Sequence, residues 1–266
     1  MNQKMRKWAK RLGLGLIGLY LLICAGLYFF QEMMLFHPDT IAADYKFQYE
    51  EDFEEIWLDA ELDGRVNGLL FKRPNPRGVV LYLHGNGGNI QKAARVRHNI
   101  IPAGFDVFLI DYRTFGKSTG PRTQEGIYAD AEAAWQYLAQ RYGPDKINIF
   151  GTSMGSGIAT HTAKNHPPRK LILEAPYTSI KDVAAGRFPW LPIGMLIRFP
   201  FPSIDNLPGL DSDILVLHGT EDKVIPYAHG KAMAEAHPRA KLVTLEGKGH
   251  RLSPIDTRQP ILEFLR

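Results

Sequence analysis

Ile147-Asn148-Ile149-Phe150-Gly151-Thr152-Ser153-Met154-Gly155 is the stretch that decides the fold. An apolar run long enough for a buried strand leads into G-x-S-x-G, and a helix-compatible segment, Ser156 to Asn165, follows. Strand, sharp turn, helix is the context in which this five-residue pattern acquires meaning. A serine at the apex of such a turn sits in strained backbone. Side chains two residues before and after it would strike neighbouring backbone, so both positions are glycine. Without its flanks the pattern is weak, because glycine and serine are common. The test is whether a base, an acid and a donor loop follow in a workable order.

They do. The apolar run Ile214-Leu215-Val216-Leu217 is followed by His218-Gly219-Thr220-Glu221-Asp222, and Lys241 to Leu245 is followed by Gly247-Lys248-Gly249-His250. Asp222 and His250 are therefore a candidate acid and base for Ser153, each just past the C-terminal end of an expected strand, where open α/β sheets place ligands. Glu221 is a rival acid. Of the nine histidines, only His250 comes late enough in the chain to reach back over Ser153. His84 and His218 precede glycines at strand ends and read as loop-shaping residues, and His161 and His166 read as surface residues. The histidines show no H-E-x-x-H and no Cys/His spacing, so neither a metal nor any other cofactor is expected. Val79-Val80-Leu81-Tyr82-Leu83 leads into His84-Gly85-Asn86-Gly87-Gly88-Asn89, a Gly-rich loop able to turn a backbone N–H toward a reacting oxygen.

On these residues the chain resembles the α/β-hydrolases from about Glu54 onward. More closely, it resembles single-pass, membrane-anchored serine hydrolases with a histidine-glycine-asparagine oxyanion loop, a group that includes aminopeptidase-like members. Asp111-Tyr112-Arg113-Thr114-Phe115-Gly116-Lys117-Ser118 is similar to the loop after the fourth strand of that group. Thr114 and Ser156 depart from it by standing where glycine is usual. The spacing of Asp222 from its strand and from Pro226 also resembles the family pattern and favours it over Glu221. The resemblance implies a Ser153-Asp222-His250 triad with the backbone N–H groups of Met154 and Asn86 as oxyanion donors. It implies acyl transfer on carboxylic esters or thioesters (a carboxylesterase or thioesterase). A peptidase, or a catalytically silent scaffold with the same fold, are the alternatives.

The remaining sequence speaks to architecture and place. Leu12 to Phe30 is uncharged and as a helix would extend about 28 Å, close to the ~30 Å hydrocarbon thickness of a bilayer. Lys4, Arg6, Lys7, Lys10 and Arg11 precede it, and no Lys or Arg follows before Lys46. The positive-inside rule then keeps residues 1–11 cytoplasmic and carries the remainder across, to the periplasm in a bacterium. Bulky Leu27-Tyr28-Phe29-Phe30 argues against a cleaved signal peptide. Ile23 argues against lipid attachment at Cys24, the sole cysteine, which is expected to face lipid. Removing the five basic residues of the tail leaves 27 basic against 28 acidic residues. The chain's basic character thus belongs to the tail, and nucleic-acid binding is not expected.

Residues 31–53 read as a linker, with Met33 to Phe36 at the lipid interface, and 54–266 as one domain. A strand pair, Ile56–Leu62 and Arg65–Phe71, turns at Asp63-Gly64. Apolar runs at Val79–Leu83, Phe105–Ile110, Ile147–Phe150, Lys170–Leu173, Ile214–Leu217 and Lys241–Leu245 then alternate with helical stretches. That alternation gives a mainly parallel, eight-stranded sheet with helices on both faces. Between residues 177 and 210, Phe188-Pro189-Trp190-Leu191-Pro192 and Phe199-Pro200-Phe201-Pro202 forbid a long helix. This segment is expected to form an apolar cap that favours lipophilic substrates.

Overall fold

The computed structural model describes residues 3–266; of the tail read over 1–11, Met1 and Asn2 lie outside the described residues. Eight strands form one sheet: β1 (Phe53–Ala60), β2 (Gly64–Phe71), β3 (Val79–Leu83), β4 (Asp106–Ile110), β5 (Ile147–Thr152), β6 (Lys170–Glu174), β7 (Asp213–Gly219) and β8 (Ala240–Leu245). Their order across the sheet is β8-β7-β6-β5-β3-β4-β2-β1. β1 and β2 pair antiparallel, as do β2 and β4, and every other pairing is parallel.

Parallel strands need covered faces, and both are covered. Along β3, Val79, Leu81 and Leu83 point into one apolar core, with α2 (Gln124–Tyr142) and α3 (Met154–Asn165). Val80 and Tyr82 point into the other core, with α7 (Pro254–Leu265). The alternation follows from the two-residue period of a strand. α6 (Tyr227–Glu235) bridges β7 and β8. The topology reverses where β3 separates β5 from β4, the kind of position where open sheets hold ligands.

The cap is irregular, as its prolines require. It holds α4 (Ile180–Arg187) and one turn, α5 (Ile193–Leu196). Ahead of the domain, α1 runs from Gln3 to Leu35. Its apolar composition and length suffice to cross a membrane.

The junction between α1 and the domain corrects the linker reading of 31–53. The helix continues through Gln31 to Leu35 and stops only as His37-Pro38 approaches. His37-Pro38 then pairs in parallel with Gly87-Gly88, and Thr40 bridges to Gly116. Phe36 is buried in the main core against Phe115 and Phe199, not at an interface, and Phe47 is buried on the opposite face. Cys24 is likewise covered by protein, packing on Leu191 and Ile193 of the cap.

Candidate active site

Ser153 follows β5 and precedes α3 with φ 52° and ψ −121°, a conformation that costs a non-glycine residue about 1–3 kcal/mol. The surroundings compel it. Its N–H donates to the Glu174 carbonyl (2.8 Å), and its own carbonyl accepts from Ser156 N–H (2.8 Å) and Ser156 Oγ–H (2.6 Å). Ser156, unusual at this position, thus closes the turn with its hydroxyl. The flanking glycines have no room for more. A Cβ on Gly151 would lie 2.4 Å from the Gly155 carbonyl oxygen, and one on Gly155 would lie 2.0 Å from the Leu83 carbonyl oxygen.

The three residues predicted to cooperate meet in one line. Ser153 Oγ is 3.0 Å from His250 Nε2, and His250 Nδ1 is 2.7 Å from Asp222 Oδ2. Asp222 is buried, whereas Glu221 points to solvent. The other carboxylate oxygen of Asp222 accepts from the N–H groups of Val224 (2.8 Å) and Ile225 (2.9 Å). Burial raises its pKa, but hydrogen bonds from His218, His250 and Ile225 outweigh that and hold the carboxyl well below its ordinary range. An ionised Asp222 fixes the proton on Nδ1, so Nε2 faces the serine hydroxyl as an acceptor. That arrangement can remove a hydroxyl proton.

Two supports were legible only as loop histidines. His218 is fully buried, with Nε2 2.9 Å from the Ile225 carbonyl and 3.3 Å from Asp222 Oδ2. His84 is buried 3.3 Å from Asp111, which in turn accepts from Ile90 N–H (2.8 Å). Asp111 thus holds both ends of the Gly-rich loop, His84 and Ile90. The pairing of Asp111 with His84 was not visible in sequence, since the contact spans strand ends that only the sheet brings together. Thr114, the other departure, takes φ 73° while its hydroxyl accepts from Arg122 Nε (2.8 Å).

Asn86 lies at the meeting point of the loop and α1. Its side chain donates to the Leu35 carbonyl (2.7 Å), and its carbonyl accepts from His37 N–H (2.8 Å). Met154 opens α3, where an N–H has no partner within the helix. Both residues line a cavity of about 270 Å³ with Ser153, walled by Leu27, Gln31 and Met34 of α1 and by Val183, Leu191 and Ile197 of the cap. On the other side of Ser153 lies a polar cavity of about 470 Å³, reached by Arg95, Asn89, Glu174 and His250. Burial pushes the Glu174 carboxyl up to about 7, against the pull of Arg95 and the Thr152 hydroxyl. Among the described residues no cluster suited to a metal ion occurs.

Residues 74–199 match the family of serine aminopeptidases of type S33, and 199–264 match a TAP-like family. An uncharacterized protein of Mycobacterium tuberculosis is 32% identical over 194 residues, covering 70% of this chain and 68% of its own. The α/β hydrolase domain-containing protein 17C of Xenopus tropicalis is 32% identical over 225 residues, covering 78% and 68%. Among solved structures, an esterase of Pyrococcus furiosus superposes with a TM-score of 0.70 at 16% identity, covering 87% of this chain and 97% of its own. An α/β hydrolase of Vibrio vulnificus does so with a TM-score of 0.65 at 26% identity, covering 78% of each. With this sheet order, this elbow and relatives matched over most of both chains, the protein is a hydrolase belonging to the α/β-hydrolase superfamily.

Proposed function

We propose that the protein is a membrane-anchored serine hydrolase that cleaves carboxylic esters or thioesters with lipophilic acyl groups. The observation that carries this reading is the hydrogen-bonded line from Ser153 through His250 to Asp222, beside an apolar cavity. Ser153 Oγ attacks the carbonyl carbon as His250 Nε2 takes its proton, and Asp222 stabilises the imidazolium. The oxyanion accepts hydrogen bonds from the N–H groups of Met154 and Asn86; one such donor is typically worth about 3 kcal/mol. Collapse breaks the bond to the leaving oxygen or sulfur, which receives the proton from His250. Water, deprotonated by the same imidazole, then releases the acid. The acyl group occupies the apolar cavity and the leaving group the polar one.

In this reading 12–30 is a signal anchor, residues 1–11 stay cytoplasmic, and the hydrolase domain from residue 54 lies across the membrane. A peptidase of the aminopeptidase-like group needs an acid to hold a substrate amine, and Glu174 in the polar cavity is the candidate. Arg95, a cation lining the same cavity, suits a cationic amine poorly.

The test labels full-length protein with a fluorophosphonate beside Ser153→Ala, and assays p-nitrophenyl esters from acetate to palmitate. We expect labelling only with Ser153 present, turnover lowered at least about 10³-fold in the variant, and a preference for longer chains. Equal labelling of both proteins removes Ser153 as the nucleophile. Folded wild-type protein that takes no label is a scaffold.

A further inference from the structure

The cap and α1 are fastened along a line that enters the hydrophobic stretch of the helix. Gln31 Nε2 donates to the Leu196 carbonyl (3.0 Å), and Arg198 N–H donates to Gln31 Oε1 (2.7 Å). Farther down the helix, Leu27 and Cys24 pack against cap residues Leu191 and Ile193. Deeper still, Tyr20 Oη–H donates to the Trp190 carbonyl (3.1 Å). Tyr20 precedes Phe30, the end of the uncharged stretch, by ten residues. In a helix that is about 15 Å, the depth of one leaflet of a ~30 Å core.

The cap's composition matches that depth. Phe188-Pro189-Trp190-Leu191-Pro192-Ile193-Gly194-Met195-Leu196-Ile197 carries no charge and is bracketed by Arg187 and Arg198. Met195 is 84% exposed and Trp190 55%, an arrangement costly in water and favourable in hydrocarbon. Irregular backbone is tolerated in lipid only when its polar groups are paired, and here they are largely paired within the protein. The N–H groups of Phe188, Leu191, Ile193, Met195 and Ile197 all donate to carbonyls in or just before the segment, and Pro189 and Pro192 have none to pair. α1 supplies donors to the carbonyls of Trp190 and Leu196.

We propose that the cap segment Phe188–Ile197 is immersed with α1 in one leaflet of the membrane, so that the apolar cavity at Ser153 opens sideways into that leaflet and receives the acyl chain of a bilayer-resident ester or thioester. This rests on the serine hydrolase reading for its chemistry and on the helix–cap contacts for its geometry. The polar cavity on the other side of Ser153 faces water and takes the head of the same molecule. The acyl chain never leaves the hydrocarbon during binding.

The test uses the full chain in phosphatidylcholine vesicles, in a Trp8→Phe background. Trp190 emission is taken as the difference from the further Trp190→Phe variant. Exchanging the lipid for its dibrominated form is expected to quench that emission at least threefold; unquenched Trp190 overturns the proposal. Met195→Glu, at a site too exposed to disturb folding, places a charge in the leaflet. We expect it to lower the ratio of 4-methylumbelliferyl palmitate to butyrate hydrolysis at least tenfold in vesicles, and an unchanged ratio overturns the route of entry. Fluorophosphonate labelling of the same samples separates the two readings. Labelled protein with unquenched Trp190 is a serine hydrolase fed from water, and unlabelled protein with quenched Trp190 is an immersed cap without that chemistry.

Discussion

Asp222 is gripped on both carboxylate oxygens. The N–H groups of Val224 and Ile225 take one, and the rings of His250 and His218 approach the other. In Asp222→Asn the amide oxygen must turn to those two N–H groups, which leaves the NH₂ facing His250. The imidazole then carries its proton on Nε2 and cannot accept from Ser153. We expect kcat to fall by on the order of 10⁴-fold, measured by steady-state kinetics. Glu174 gives a prediction of the opposite character. Its folded-state pKa of about 7 lies above the ordinary 4.5, so between these values the folded protein holds a proton that the unfolded chain has released. Stability therefore falls as pH rises through that window. Glu174→Gln removes the penalty: its Tm should match wild type near pH 4.5 and exceed it by a few degrees at pH 8. A pH-independent difference would contradict the raised pKa. At this scale Ser153, Asp222 and His250 were legible because strand ends and chain order constrain them. The pairing of Asp111 with His84 was not, because it joins the ends of two different strands, and His218 was legible only as a loop-shaping residue.

At the scale of elements, the strands could be read wherever a buried run stood between turns. Val79–Leu83 is the clearest case, buried on both faces from end to end. β1 was harder to place. It begins at Phe53, three residues before the expected Ile56, because Glu54 and Glu55 hide a strand whose register, Phe53 opposite Phe71, is set by its neighbour. Those charges are satisfied out of sequence, Glu54 by Arg141 (2.7 Å) and Glu55 by Lys117 (2.7 Å). The turn falls at Leu62 and Asp63, both with positive φ. The cap's irregularity was visible in its prolines, but its attachment to α1 was not, since Gln31 and Leu196 are distant in sequence. Gln31→Ala deletes the two hydrogen bonds that Gln31 makes to the cap, each worth about 1 kcal/mol. Hydrogen exchange should then accelerate by roughly tenfold across residues 188–198 while β5 and α3 remain protected. Unchanged exchange in the cap would mean that the remaining contacts with α1 hold it without Gln31.

For the whole molecule, the separation of charge remains the strongest indication of placement: five basic residues on one side of an uncharged stretch, and a nearly neutral domain on the other. If the hydrolase domain is translocated, protease added outside intact spheroplasts should digest it. Full protection until the membrane is breached would reverse the proposed orientation. The sequence could give a helix, a domain and their order. It could not show how they join, because the parallel pairing of His37-Pro38 with Gly87-Gly88 depends on where β3 delivers its loop. That join bears on how such a protein could be regulated or shed. A cut between Leu35 and Phe36 would take away the Leu35 carbonyl that receives the Asn86 side chain, along with the Leu27, Gln31 and Met34 wall. If α1 anchors the proposed hydrolase, release at that point would not liberate a working enzyme into solution but would disarm it.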